Sequence, residues 1–262
     1  MEIVILGSGT SHGVPMIGCD CAVCRSVNPR NKRLRPSILV RNDGGAILVD
    51  TTPELRLQAL ANDVRRVDAV LMTHSHADHI FGMDDLRRFN DMTDAEIPVY
   101  GDERTLADIR RIYEYIFKPT QAGGGKPRLT LHPVAPQFEL LGLQIQSFHV
   151  LHGNLPVTAY RFDRPAGANR PALRAAYVTD VSHIPDDALL RLENLDLLLL
   201  DAVRFEPHPT HFGLYQALDV IAQVKPRHAL LTHLSHHFDH DAVNAQLPEN
   251  VALAFDGMRI SL

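Results

Sequence analysis

Tryptophan is absent from this sequence and cysteine is scarce: the 262 residues contain three cysteines, all between Cys19 and Cys24. Three thiols leave one unpaired in any disulfide scheme, so a reducing compartment fits better than a disulfide framework. The sequence also lacks an apolar run near the ~20 residues that a membrane helix needs. Its first seven residues carry an acid and no basic region, unlike a signal peptide. We therefore expect a cytoplasmic protein without membrane contact.

A basic excess is lacking as well. The chain has 31 acidic residues against 26 lysines and arginines, a net charge of -5 at pH 7. This balance argues against broad binding to nucleic acid, so no nucleic-acid partner is expected. A small phosphorylated substrate remains compatible, because bound metal cations would dominate the local field. The sequence leaves a homodimer open.

Histidine, in contrast, is abundant, with 15 residues, many of them in short motifs. The segment Thr73–His79 reads T-H-S-H-A-D-H and follows the apolar run Ala69–Met72, which predicts a buried strand. Four of its side chains are metal ligands by type: His74, His76, Asp78 and His79. Imidazoles and a carboxylate suit Zn, Mn or Fe. A solvated histidine-rich loop is the alternative, but it would not predict the distant partners described below.

This H-x-H-x-D-H motif after a strand resembles the metallo-β-lactamase superfamily of metallohydrolases. The resemblance implies an α/β fold, a four-layer αβ/βα sandwich with two metals at the sheet edge. It also implies three further ligands, a His, an Asp and a His, in that order along the chain.

Candidates for all three occur after predicted strands. His149 and His152 follow the strand Leu143–Phe148; the resemblance favours His152, and His149 stays open as its replacement. Asp180 follows the strand Ala172–Thr179, where a helix cap is the alternative, and His233 follows the strand His228–Thr232. The resemblance then implies one metal at His74, His76 and His152, a second at Asp78, His79 and His233, and Asp180 as the bridge. Because these ligands lie on both sides of the glycine-rich stretch Gln121–Lys126, a single domain over residues 1–262 is expected.

The cysteines form a second metal motif, C-x-C-x-x-C, in which three thiolates can converge on one ion. A tetrahedral zinc needs a fourth ligand, and three free cysteines in a loop are the alternative. With Leu231–His236 and Phe255–Met258, this motif resembles a subgroup, the phosphodiesterases of the bacterial carbon–phosphorus lyase pathway, which open phosphoribosyl 1,2-cyclic phosphate. The resemblance implies a structural zinc held by Cys19, Cys21, Cys24 and His236, with His237 and His240 as substitutes for His236.

The same subgroup has a histidine ahead of a late helix that assists the leaving group. His211 matches that position as general acid, with His208 as the alternate and a capping role as the structural alternative. Asp50, after the strand Ala46–Val49, is expected to support the metal-binding loop.

Three other segments have both a structural and a functional interpretation. The basic stretch Asn28–Pro36 is either a solvated loop or a rim that attracts phosphate. Arg87 and Arg88 are favoured as exposed helix residues over substrate contacts. Gln121–Lys126 is either a mobile flap or a connector.

The sequence therefore predicts a metal-dependent hydrolase with two catalytic divalent metals, Mn or Zn, and one structural Zn. Its expected substrate is a small phosphodiester, such as a cyclic sugar phosphate, attacked by hydroxide generated at the metals. Asp78 and His211 are the predicted catalytic residues. The alternatives are a tRNA 3′-processing nuclease, disfavoured by the acidic chain, a thioester or lactam hydrolase, and a non-catalytic metal or nucleotide sensor.

Overall fold

The computed structural model describes residues 1–119, 125–168 and 170–262, so most of the glycine-rich stretch lies outside the described residues. The strands are β1 Glu2–Gly7, β2 Ser37–Asn42, β3 Gly45–Val49, β4 Ala69–Leu71, β5 Ile97–Gly101, β6 Leu129–Pro133, β7 Gln137–Leu140, β8 Leu143–His152, β9 Leu155–Arg164, β10 Leu173–Val178, β11 Leu197–Asp201, β12 His228–Thr232, β13 Val251–Leu253 and β14 Arg259–Ser261. The α-helices are α1 Ala22–Arg25, α2 Leu55–Ala61, α3 Ala77–Ile80, α4 Leu86–Thr93, α5 Glu103–Ile112, α6 Glu114–Phe117, α7 Asp186–Leu189, α8 Leu214–Val224 and α9 His240–Asn244. Short 3-10 helices cover Pro29–Asn31, Met83–Asp85 and Leu190–Leu192.

The strands form two seven-stranded sheets of matching design. The first has the order β14-β1-β2-β3-β4-β5-β6 and the second the order β13-β12-β11-β10-β9-β8-β7. In each sheet one half is antiparallel and the other half parallel: β3 to β6 run parallel in the first sheet, and β10 to β13 in the second. Each parallel half therefore brings several strand C-termini to one edge, where site residues can gather.

The first strand shows how the layers are built. Its residues Ile3 and Ile5 pack between the two sheets, whereas Val4 and Leu6 face the helices outside the first sheet. Successive side chains of a strand point to opposite faces, so a strand buried on both faces reads as a continuous apolar run. Three apolar layers result, and the predicted four-layer αβ/βα sandwich is confirmed.

An amphipathic helix packs on the outer face of each sheet. On the first sheet, Leu86 and Phe89 of α4 are buried against Val70 and Val99. On the second, one stripe of α8 packs on the sheet through Leu214, Ala217 and Ile221. Burying a leucine or phenylalanine side chain stabilises the fold by about 1.5–3 kcal/mol. Within the described residues, no helix is long and apolar enough to cross a membrane.

Candidate active site

The C-terminal ends of the parallel strands from both sheets meet in one seam. In the second sheet, the neighbouring strands β10, β11 and β12 lead to Asp180, Asp201 and His233. In the first, β3 and β4 lead to Asp50 and His74. The sheets are tied at this point, since the Thr158 N–H of β9 donates to the carbonyl of Thr73 at 2.9 Å. Residues far apart in sequence therefore share one buried site.

Four of the predicted metal ligands form a tight group: Asp78, His79, Asp180 and His233, with ligand atoms within 4.8 Å of one another. The Nε2 atom of His79 lies 3.3 Å from an oxygen of Asp78 and 3.3 Å from Asp180 Oδ2. His233 Nε2 lies 3.5 Å from Asp180 Oδ1. Asp180 thus faces imidazoles carried by both sheets.

A second group adjoins the first through the same aspartate. The ligand atoms of His152, Asp180 and His211 also lie within 4.8 Å of one another. The imidazole rings of His74 and His76 are 4.5 Å apart, and that of His76 is 5.3 Å from His152. Every dimetal ligand predicted from the sequence is thereby present around Asp180.

The two histidine candidates of β8 separate clearly. His152 is half-buried in the seam, and its Nδ1 lies 2.6 Å from the carbonyl of Thr210. His149 is exposed, and its Nε2 lies 3.9 Å from Asp102 Oδ2. Three positions along a strand reverse the face, so one of the pair points into the site and the other away.

Hydrogen bonds from outside the cluster orient its imidazoles. Asp50 is fully buried, accepts the N–H and the hydroxyl of Thr73 at 2.8 Å each, and lies 2.8 Å from His79 Nδ1. A proton on Nδ1 leaves the Nε2 lone pair of His79 facing Asp78 and Asp180. The carbonyl of Thr210 fixes His152 in the same way, as protein groups do for metal-ligating histidines.

Asp201 is a candidate site residue that the sequence analysis missed. Its Oδ2 lies 2.8 Å from His211 Nδ1 and accepts the Val181 N–H at 2.9 Å, and its Oδ1 lies 3.5 Å from His233 Nδ1. One buried carboxylate is therefore within hydrogen-bond distance of the predicted general acid and also lies beside a predicted ligand, to which it makes no hydrogen bond. The available signal was an acid directly after a buried strand, the same signal that marks Asp50.

Three residues at these strand ends have a strained backbone. Asp50, Asp180 and His233 have φ angles of 63°, 53° and 61°, in the left-handed region. Non-glycine residues there cost of the order of 1–3 kcal/mol, and such strain clusters at functional sites. The fold holds these three side chains in positions that an unstrained strand end would not give them.

The charges of the seam indicate what the cluster can hold. Burial acts to lower the pKa of His79 and of His233, but the carboxylates of Asp180 and Asp78 outweigh it and raise both, that of His233 to about 9. Burial, followed by the charge of the neighbouring imidazole of His79, lowers the pKa of His74. The negative charge of the buried carboxylates therefore favours a positive charge in the seam. A divalent cation can supply that charge while the imidazoles stay neutral.

Unsatisfied nitrogen atoms agree with this assignment. The Nε2 atoms of His74, His79 and His233 are buried and find no hydrogen-bond partner among the described residues. An unpaired buried polar group costs about 1–3 kcal/mol, so such atoms need an explanation. Neutral imidazole and carboxylate donors fit divalent cations such as Zn²⁺ or Mn²⁺.

The predicted cysteine cluster also comes together. Ligand atoms of Cys19, Cys21, Cys24 and His236 lie within 4.8 Å of one another, with His236 Nδ1 3.2 Å from Cys19 Sγ and 3.4 Å from Cys21 Sγ. The substitutes His237 and His240 form no part of this group, because His237 Nδ1 contacts Ser235 and His240 packs on Phe255. Three thiols and one imidazole are the donor set of a structural zinc.

Arg33, in the basic stretch Asn28–Pro36, is neither part of a solvated loop nor part of a rim that attracts phosphate. This side chain is 1% exposed, and its guanidinium donates to the carbonyls of Ser235 at 2.9 Å and Phe238 at 2.8 Å. It therefore fastens the loop that carries His233 and His236 instead of attracting phosphate. Arg35 pairs with Glu54, whereas Arg87 and Arg88 are exposed on α4, as favoured from the sequence.

Comparisons with known proteins identify the family and the fold. Residues 46–234 match the family model described as beta-lactamase superfamily domain. A crystal structure of a diphosphatase from the PhnP family is 41% identical, with a TM-score of 0.88, over 99% of this chain and 96% of that one. Zinc-bound PqqB from Methylobacterium extorquens has a TM-score of 0.78 over the whole of both chains at 19% identity, which shows the fold alone.

One curated relative is longer than this chain. The octanoyltransferase of Porphyromonas gingivalis is 36% identical over 98% of this chain, which covers 51% of that protein. The chain therefore spans about half the length of this relative.

Proposed function

Given that this chain belongs to the beta-lactamase superfamily of metal-dependent hydrolases, we propose that it hydrolyses a small phosphodiester. The observation that carries the proposal is the convergence of predicted ligands around Asp180 with an oriented imidazole, His211, beside them. A cyclic phosphate of a sugar, such as phosphoribosyl 1,2-cyclic phosphate, is the specific candidate. The likeness to a PhnP-family diphosphatase supports phosphoryl chemistry at this site.

Two cations would be held by seven side chains. His74, His76 and His152 would hold the first, Asp78, His79 and His233 the second, and Asp180 would lie between them. When bound, such a pair lowers the pKa of a water molecule and neutralises charge on phosphate oxygens. The hydrogen bond with Asp50 would keep the imidazole of His79 turned toward that pair, and the Asp201 carboxylate lies 3.5 Å from His233 Nδ1.

His211 is proposed to donate a proton to the leaving alkoxide. Its Nδ1 proton is directed at Asp201, so the acid would be the imidazolium form, which carries a second proton on Nε2 for the leaving oxygen. The ring stacks on His233 with centroids 4.7 Å apart, which keeps the donor next to the proposed cation site. A general acid in this position contributes about 10²- to 10⁴-fold in rate.

The cysteine cluster is proposed as a structural zinc site. Its ligands join the loop before α1 to the segment after β12, and His236 lies three positions after His233. A zinc there would add folding energy directly and would fix the loop that carries His233.

A second candidate function comes from the Porphyromonas gingivalis relative. Its name describes acyl transfer, and the matched region is about half of that protein. Hydrolysis of an octanoyl thioester at the same site is therefore the rival, because an activated water can attack a thioester carbonyl as well as phosphorus.

A substrate panel separates these functions. Protein loaded with Mn²⁺ or Zn²⁺, with its metal content measured, is offered phosphoribosyl 1,2-cyclic phosphate, a 2′,3′-cyclic nucleotide, a linear nitrophenyl diester and an octanoyl thioester. We expect turnover of the diesters, highest for the cyclic sugar phosphate, and its loss on chelation. Turnover confined to the thioester would overturn the proposal, and activity on linear diesters alone would remove the cyclic sugar phosphate.

A further inference from the structure

A cavity of about 440 Å³ opens beside His211, and its lining does not include His152. His211 and His233 form part of its lining, and Arg204, His208, His237 and His12 contribute further basic side chains. We name these last four residues the basic pocket. It lies next to the proposed general acid, where the departing half of a substrate would be.

Arg204 brings a permanent charge that its surroundings do not neutralise. Its Nε donates to the carbonyl of Glu206 at 3.3 Å and its Nη2 to that of Pro207 at 2.6 Å, both within its own loop. No carboxylate of the described residues forms an ion pair with it. A planar guanidinium held in place with a free edge is suited to a phosphate or carboxylate.

His208 adds a neutral donor to the same pocket. Its Nδ1 accepts from the Thr210 N–H at 3.3 Å, and a backbone N–H can only donate. The neutral ring must then carry its proton on Nε2. The His208 ring centroid is 5.2 Å from that of His211, so this donor lies beside the proposed acid.

We propose that the basic pocket binds a negatively charged group on the leaving half of the substrate. The inference rests on the proposed phosphodiesterase function and narrows it to diesters whose departing alcohol carries a further phosphate or carboxylate. Arg204 is the specificity-determining residue and His208 its neutral partner. The charge recognised here is separate from that of the scissile phosphate, which faces the seam around Asp180.

The position of the anion can be tested with three chromogenic diesters. The first is the methyl nitrophenyl phosphate, the second carries a carboxylate on the nitrophenol ring, and the third carries the carboxylate on the alkyl group that stays on phosphorus. We expect metal-loaded protein to favour the second over the first by roughly tenfold to a hundredfold in kcat/KM, the range for hydrogen bonds to a charged group. The third should show no such preference.

In Arg204→Gln, the kcat/KM for the second diester should be close to that for the first, so that their ratio is about one. Arg174→Gln is the matched control, an exposed arginine at the far end of the strand that leads to Asp180, and it should keep the ratio. Equilibrium dialysis of the carboxylated nitrophenol against each protein gives a readout independent of turnover. Binding should weaken in Arg204→Gln and not in the control. Should Arg204→Gln not fold, His208→Ala takes its place with the same expectation in a smaller degree.

The outcomes distinguish the two proposals. If no diester is hydrolysed, the phosphodiesterase function fails and this inference fails with it. If all three are hydrolysed at equal rates, the function stands and the basic pocket has no role in specificity. A preference that persists in both Arg204→Gln and His208→Ala, or an equal preference for the third diester, would overturn the placement of the anion.

Discussion

The two candidate metal centres differ in how the chain builds them. The seam around Asp180 draws its ligands from both sheets, and its central side chains are buried: His79, Asp180 and His233 are each 2% exposed or less. The cysteine cluster takes three ligands from one stretch of six residues, Cys19–Cys24, and two of its thiols are only half-buried. The first centre exists only when the sheets are packed, whereas the second gathers most of its ligands locally.

This difference indicates different roles. Outer partners fix one nitrogen of three imidazoles in the seam. Asp50 does so for His79, Asp201 for His211 and the Thr210 carbonyl for His152. The cysteine cluster instead links two loops, and Arg33 fastens the same loop from the other side. Substitutions in the seam should therefore affect catalysis first, and substitutions in the cysteine cluster should affect stability first.

The largest loss is expected for Asp180→Asn, the substitution at the centre of the seam. A neutral amide cannot balance two cations, and the lost transition-state stabilisation of several kcal/mol corresponds to a fall of roughly 10³-fold or more in kcat/KM. The diester assay and metal analysis measure it, with Asp187→Asn, an exposed acid of α7, as the control. Full activity with both metals bound would refute the bridging role.

His211→Ala should lower kcat by about 10²- to 10⁴-fold for an alkyl leaving group, because the alkoxide then leaves without a proton. The loss should be much smaller for a nitrophenyl diester, whose leaving group departs as a stable anion. His228→Ala, an exposed histidine at the start of β12, is the control. An equal loss on both leaving groups would mean that His211 does not act as the acid.

Asp201→Asn should have a smaller effect, a fall of about 10- to 100-fold, as is typical when a group that orients a metal-ligating histidine is removed. The amide can still accept the Val181 N–H but cannot hold the charge beside His211 and His233. Compared with Asp219→Asn on the exposed side of α8, the variant should also bind metal more weakly in a competition titration. Unchanged affinity and rate would remove Asp201 from the site.

Cys21→Ser should change turnover least, by less than about tenfold, while lowering the melting temperature, since a structural zinc adds folding energy. Serine can keep the N-cap contact to the Cys24 N–H, so the substitution isolates the thiol. Elemental analysis should find one zinc fewer per chain, and Asp20→Asn should match the parent. Loss of catalysis at an unchanged melting temperature would contradict the assignment of the cysteine cluster to stability.

The sequence predicted most of the seam because its ligands follow strands. His74, His76, Asp78 and His79 fall within six positions after an apolar run, and Asp180 and His233 follow runs of the same kind. The late helix, α8, begins at Leu214, so His211 lies in the loop ahead of it, beside Asp201.

Arg33 and Asp201 were misjudged for one reason. Arg33 stands in a run of basic residues typical of a surface loop, yet the segment after β12 covers it and supplies the carbonyls that it binds. Asp201 looks like an ordinary strand end until His211 and His233 are brought to it. In both cases the partners lie elsewhere in the chain, so the local sequence pattern does not indicate them.

The sequence by itself predicted the motif that starts the site, because strand periodicity and close spacing are local properties, and the resemblance carried by that motif implied the fold class and the order of the ligands. Only the tertiary structure decided between His149 and His152, since the face that a strand turns to the seam depends on the packing of the second sheet. It also decided that Arg204, which has no ion pair within the part of the chain that the structure describes, lines the same cavity as His211. Charge and direction at a site are set by neighbours in space, and those neighbours exist only once the two sheets close on each other.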